Sequence, residues 1–181
     1  MFRTLVTTAL VCAGLASTSL ADVAIFVAPE RLSGREQDRA QIRAQDALSR
    51  AGFEIHATEQ TNLDEIARTY SRGMRAAAPG DRVILFMEGY TLRAGSQSYK
   101  LNTRPQRDAR QYDPILLPRQ ATPLAPILEA LSQYPGQALF LSGINDGGMD
   151  LDGQGRPLIA DIPAGVAVVQ GPGRSLLESV R

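Results

Sequence analysis

Few residues in this chain can do acid–base or nucleophilic work, and their positions are informative. There is one cysteine, Cys12, and one histidine, His56, among 181 residues. Two stretches carry most of the remaining candidates. In Asp81–Tyr90, "DRVILFMEGY", an apolar run ends in Glu88, Gly89 and Tyr90. A carboxylate there can act as a base or hold a ligand amine. In Leu141–Gly155, "LSGINDGGMDLDGQG", a hydroxyl at Ser142 is followed by Asp146, Asp150 and Asp152 among glycines. A serine nucleophile needs a base beside it, and carboxylates on a glycine-rich loop can hold a hard cation. One frame partly matches a calcium loop, with Asp150, Asp152 and Gln154 early, Gly155 at the turn and Asp161 last. Gln154 and Pro157 depart from that pattern, so a solvated turn is the preferred reading and no cofactor is called for.

The first residues narrow the set further. Arg3 is followed by an apolar stretch from Leu5 to Leu15 and then by small residues. Ser19-Leu20-Ala21 fits the small-x-small rule for a secretory signal, with cleavage expected after Ala21. The apolar stretch is shorter than the ~20 residues a membrane span needs. Residues 1–21 are therefore read as a signal peptide and 22–181 as one domain, periplasmic or secreted and off the membrane after cleavage. Cys12 leaves with the signal, so the mature chain has no thiol nucleophile and no disulfide. Arg3 leaves too, which takes basic residues from 19 to 18 against 19 acidic ones. A net charge near zero gives no field to hold nucleic acid.

The elements that must position these residues follow from periodicity. Val23–Ala28, "VAIFVA", reads as a buried strand. A helical pattern with Ile42, Ala44, Ala47, Leu48 and Ala51 follows, and Gly52 stops it as a left-handed C-cap. Phe53–Ala57 alternates, as a strand with one wetter face does. Thr61, with Asp64 three residues on, begins a second helix whose face is Leu63, Ile66, Tyr70 and Met74. Val83–Met87 is a strand covered on both faces. Thr91–Leu101 reads as a β-hairpin turning at Ala94-Gly95-Ser96, and Asn102–Arg119 as a polar loop. Thr122-Pro123 starts a helix faced by Leu124, Ile127, Leu128 and Leu131. Strands at Ala138–Leu141 and Gly165–Val169 complete the pattern. Alternating strands and helices predict an α/β fold, a three-layer α/β/α sandwich with a mainly parallel sheet. Ligands in such sheets sit beyond the carboxyl ends of the strands, here at Glu88–Thr91 and Ser142–Gly148.

Those strand ends and the segments before them resemble the caspase-like family, peptidase C14 of the metacaspase type. The likeness runs through Leu48–Ile55, "LSRAGFEI", and Gly80–Phe86, "GDRVILF", to Glu88-Gly89-Tyr90 and Ala138–Ile144, "ALFLSGI". It covers nearly the whole mature chain. The resemblance implies a histidine at the position of Tyr90 and a cysteine at the position of Ile144, about 50 residues apart as in caspases. An isoleucine is no nucleophile, and a phenol with pKa near ~10 is a poor base at neutral pH. With the alignment slipped by two, Ser142 takes the cysteine position and still lacks a base.

The reading is thus a degenerate member without the dyad, a pseudopeptidase that binds a protein or peptide partner. Glu88, Asp146, Arg31 and Arg35 are its candidate binding residues. Alternatives are a hydrolase in which Ser142 or Tyr90 works with Glu88, and a cation- or small-ligand-binding domain using the Asp146–Asp152 loop. His56 is expected as a solvent-facing strand residue. In a 2-1-3-4 strand order it lies three strands from the fourth, about 14 Å away.

Overall fold

The computed structural model describes residues 21–27, 35–58, 62–101, 112, 117–144, 149–151, 159 and 161–180. The core is a parallel sheet whose strands are joined by crossovers. Strands β1 (Val23–Val27), β2 (Glu54–Ala57), β3 (Val83–Ala94), β6 (Ala138–Ile144) and β8 (Val166–Gly171) lie in the order β2-β1-β3-β6-β8. Every pairing in that series is parallel.

The helices cover both faces, and strand alternation decides which residues each receives. Ala24, Phe26, Phe86 and Leu141 point to one side. There they pack on Ala40, Ala44 and Leu48 of α1 (Arg35–Arg50) and on Leu176 and Leu177 of α5 (Gly173–Ser179). Val23, Ile25, Val83, Leu85 and Met87 point to the other side. They meet Ile66 of α2 (Leu63–Ala76) and Ile127, Leu128 and Leu131 of α4 (Ala125–Leu131). The result is the α/β fold with helices on both faces of a mainly parallel sheet that the pattern predicts. Gly52 carries φ +92 just past α1, as a C-cap there requires.

Several expectations are corrected. Helix α2 is capped by Asn62, not Thr61: the Asn62 side chain accepts from the Glu65 backbone N–H at 2.8 Å. Thr122 and Pro123 do not open a helix; they end the short strand β5 (Ala121–Pro123), and α4 starts at Ala125 with Pro126 in its first turn. Ile42 is 57% exposed, because α1 turns Ala40, Ala44 and Leu48 inward instead. His56 does not face solvent. It is buried beneath α2, where the bare Gly73 lets the helix approach. Its Nε2 lies 3.0 Å from Glu54 Oε1, off hydrogen-bond geometry.

The largest correction concerns β3. Glu88-Gly89-Tyr90 is not a strand terminus. The strand runs twelve residues, Val83–Ala94, and only its pairings with β1 and β6 end there, at Met87 and Gly89. Beyond that point it turns back at Gly95-Ser96 into an antiparallel hairpin with β4 (Gln97–Leu101), with Ala94 opposite Gln97. β4 then pairs β5. Tyr90, Leu92, Tyr99 and Leu101 form a small core of their own with Leu117, from the short helix α3 (Leu117–Gln120), and Ala121. Strand β7 (Met149–Asp150) pairs β3 in parallel at Leu92 and Arg93.

Candidate functional site

The carboxyl ends of the central strands fall where β1 and β6 stop pairing with β3. Val27 lies opposite Met87, and on the other side Ser142, Gly143 and Ile144 lie opposite Met87, Glu88 and Gly89. Two short strands leaving such an end expose backbone carbonyls, and buried carbonyls need donors. The hairpin supplies one. Its register puts Lys100 opposite Thr91, which brings the lysine back toward the sheet end. Lys100 Nζ donates to the Gly143 carbonyl at 2.7 Å and to the Gly89 carbonyl at 3.2 Å. The side chain is completely buried.

Gly89 makes this approach possible. Its φ is +141, and a Cβ there would fall 2.4 Å from the Leu101 carbonyl oxygen. Only glycine allows the two strands so close at that point.

Glu88 shares the burial, at 0% exposure. It lies on the side of the sheet covered by α1 and α5. A Cβ at Gly173 would sit 2.5 Å from Gln37 Nε2 and 3.6 Å from the Glu88 carboxyl carbon, so α1, α5 and β3 converge there. Burial pulls the Lys100 amine from 10.5 down to about 7, and the charge of Glu88 opposes that shift. A lysine and a glutamate whose charge reaches it are thus both buried at this end of the sheet. This is an amine held on two carbonyls, with a pKa brought near neutrality.

The residues expected to carry chemistry sit as follows. Ser142 is fully buried in register with Met87, and its hydroxyl has no hydrogen-bond partner among the described residues. Glu88 is one step along in register, opposite Gly143, so alternation places it on the other face of the sheet from Ser142. The structure does not bring those two together. Tyr90 is 9% exposed within the hairpin core, one residue past the pairing of Gly89 with Ile144. Arg35 opens α1, and Asp150 lies in β7 opposite Arg93. Asp161 is exposed with φ +52. Arg31, Asp146 and Asp152 lie outside the described residues. Among the described residues no three of His, Cys, Asp and Glu come together as a metal-holding group.

Lys100 is the residue sequence reading misses. In "QSYKL" it alternates with Tyr99 and Leu101, which marks it as solvent-facing. Its face is covered by the end of the parallel sheet. The available clue is the two-residue turn at Gly95-Ser96, because that turn fixes Lys100 opposite Thr91, three residues after Glu88. Neither a protein-family model nor a curated protein matches the chain.

Proposed function

We propose that this chain is an exported, non-catalytic module of the caspase-like kind that acts by binding a protein or peptide partner. One observation carries the reading: the end of the central strands is filled. Where a base and a nucleophile would have to face a substrate, Lys100 is seated on the carbonyls of Gly89 and Gly143, and Glu88 is buried at the same strand end, both out of contact with water. The Ser142 hydroxyl, which could attack a carbonyl, is fully buried, with no base bonded to it among the described residues. A catalytic pair must be within hydrogen-bond reach and open to its substrate, and neither condition is met at these residues.

Export is part of the same reading. Cleavage after Ala21 leaves Asp22 as the first residue, and Asp22 is already tied into the fold. Its carboxylate accepts from the Arg82 backbone N–H at 2.8 Å and from Nε at 2.9 Å, while its carbonyl accepts from Glu54 N–H at 2.7 Å. The Arg82 guanidinium holds the Asp22 carboxyl below the usual carboxylate range.

The test is covalent labelling of the folded protein with a fluorophosphonate, read by peptide mass spectrometry. The expected result is no adduct at Ser142. An adduct there that disappears in Ser142→Ala overturns the non-catalytic reading. N-terminal sequencing of the exported protein checks the other half, and should start at Asp22.

A further inference from the structure

Away from the strand ends, α2 and α4 leave a groove between them on the outer side of the sheet. It has a volume of about 330 Å³ and walls that include Leu63, Ile66, Tyr70, Pro123 and Ile127. A well-packed helix pair closes such a gap to within van der Waals contact. Two of the lining residues carry hydroxyls without a hydrogen-bond partner among the described residues. These are Tyr70 and Thr122, and both oxygens are buried. Burial pushes the Tyr70 phenol up to about 12.

Three arginines of α2 lie beside the groove. A second hollow runs along the next stripe of α2 and is lined by Ala67, Arg68, Ser71, Arg72 and Arg75. Ala67 and Ser71 line both hollows, so the two are contiguous. Arg68 is paired with Glu65 at 3.0 Å. Arg72 and Arg75 are exposed and make no ion pair among the described residues. An apolar trough beside two uncommitted guanidinium groups is complementary to a molecule with an apolar body and an anionic head.

We propose that the α2–α4 groove binds a free, single-chain apolar monocarboxylate, with its body in the groove and its carboxylate at Arg72 and Arg75. The size of the groove selects this class. A cavity of about 150 Å³ holds one benzene, so the groove takes about thirteen heavy atoms. That is one medium-length chain, and too little for a two-chain lipid. An extended peptide fits worse. Its backbone amides need partners, and the groove offers them one three-residue strand, β5, whose last residue, Pro123, has no N–H, beside the hydroxyls of Tyr70, Ser71 and Thr122. The site is separate from the filled strand end, and the proposal stands whether or not the non-catalytic reading holds.

Decanoate, twelve heavy atoms, is the probe. Titration into the ¹⁵N-labelled mature protein is followed by two-dimensional amide spectra, with decanol and decyltrimethylammonium as neutral and cationic controls. Saturable shifts on α2 and α4 are expected, with Kd on the order of 0.1–1 mM at low salt. Decanol should bind more weakly, and the cation should not bind. Arg72→Glu/Arg75→Glu should weaken decanoate at least ten-fold while leaving decanol unchanged. Ala67→Trp, which places a ring on an exposed position at the shared edge, should block both. Sedimentation with anionic two-chain vesicles should leave the protein in solution. The proposal is overturned by unsaturable shifts, by shifts that map elsewhere, or by equal binding of decanoate and the cation. It also fails if charge reversal leaves decanoate affinity unchanged, or if the protein sediments with vesicles and decanoate does not displace it.

Discussion

Gly89→Ala should cost about 3–5 kcal/mol, and the magnitude follows from two separable contacts. The first is conformational. At φ +141 an L residue is strained, and such backbone costs of order 1–3 kcal/mol. The second is steric. The new Cβ meets the Leu101 carbonyl oxygen at 2.4 Å, and that atom is backbone in a paired strand, not the loose end of a side chain. Forcing an extra carbon into a packed site costs typically ~1–3 kcal/mol. Gly95→Ala separates the two terms. Gly95 has φ +61 at the tip of the same hairpin, and a Cβ there meets nothing within 4 Å. It should therefore show the conformational cost alone, about 1–2 kcal/mol. The assay is urea unfolding of residues 22–181 with both variants, at constant m so that the midpoint reports stability. A Gly89→Ala cost no larger than that of Gly95→Ala refutes the close approach of β3 and β4. The seating of Lys100 on the sheet end would fall with it.

Other outcomes follow from single contacts. With the Lys100 amine at about 7 when folded and at its ordinary 10.5 when unfolded, the unfolded chain binds the extra proton between those values. Stability from this group is therefore lowest below pH 7 and rises with pH through the window from 7 to 10.5. Relative to Glu88→Gln/Lys100→Met, the wild type should gain about 2–3 kcal/mol between pH 6 and pH 9, and a constant difference in urea midpoints would contradict this. Gly73→Ala should destabilise by about 1–3 kcal/mol despite alanine's better helix propensity. Its Cβ would fall 2.5 Å from the Ile25 side chain, and thermal unfolding of Gly73→Ala/Ile25→Ala should show strong non-additivity. Asn62→Ala removes the acceptor for Glu65 N–H and should cost about 1 kcal/mol, read by thermal unfolding.

Much of the fold is legible because burial writes itself into period. The continuous apolar runs at Val23–Val27 and Val83–Met87 can only be strands covered on both faces, and they are. The stripe Leu124, Ile127, Leu128, Leu131 gives the buried face of α4 even though its start is misplaced by two residues of strand. Ends are harder to read, since Thr61 and Asn62 are both good caps and only the backbone geometry chooses. His56 misleads for a different reason. Its exposure depends on Gly73, seventeen positions away, which lets α2 settle over it. The candidate site is half legible. Glu88 stands out as a charge at the end of a greasy run. Lys100 does not, because nothing local says that a hairpin will fold back over a parallel sheet. Alternation then reports a surface face where the tertiary structure has made an interior.

The central claim is that a buried amine closes the end of the parallel sheet. The most direct measurement of it is the titration of Lys100 itself, followed by NMR of the side-chain ¹³Cε and ¹⁵Nζ in the folded protein, with Lys100→Met to assign the signal. The account predicts an apparent pKa near 7, with slow exchange of the amine protons with water. A Lys100 signal that titrates near its ordinary 10.5 and exchanges freely would show the amine in solvent. It would mean that the strand end is open and that the non-catalytic reading has lost its support.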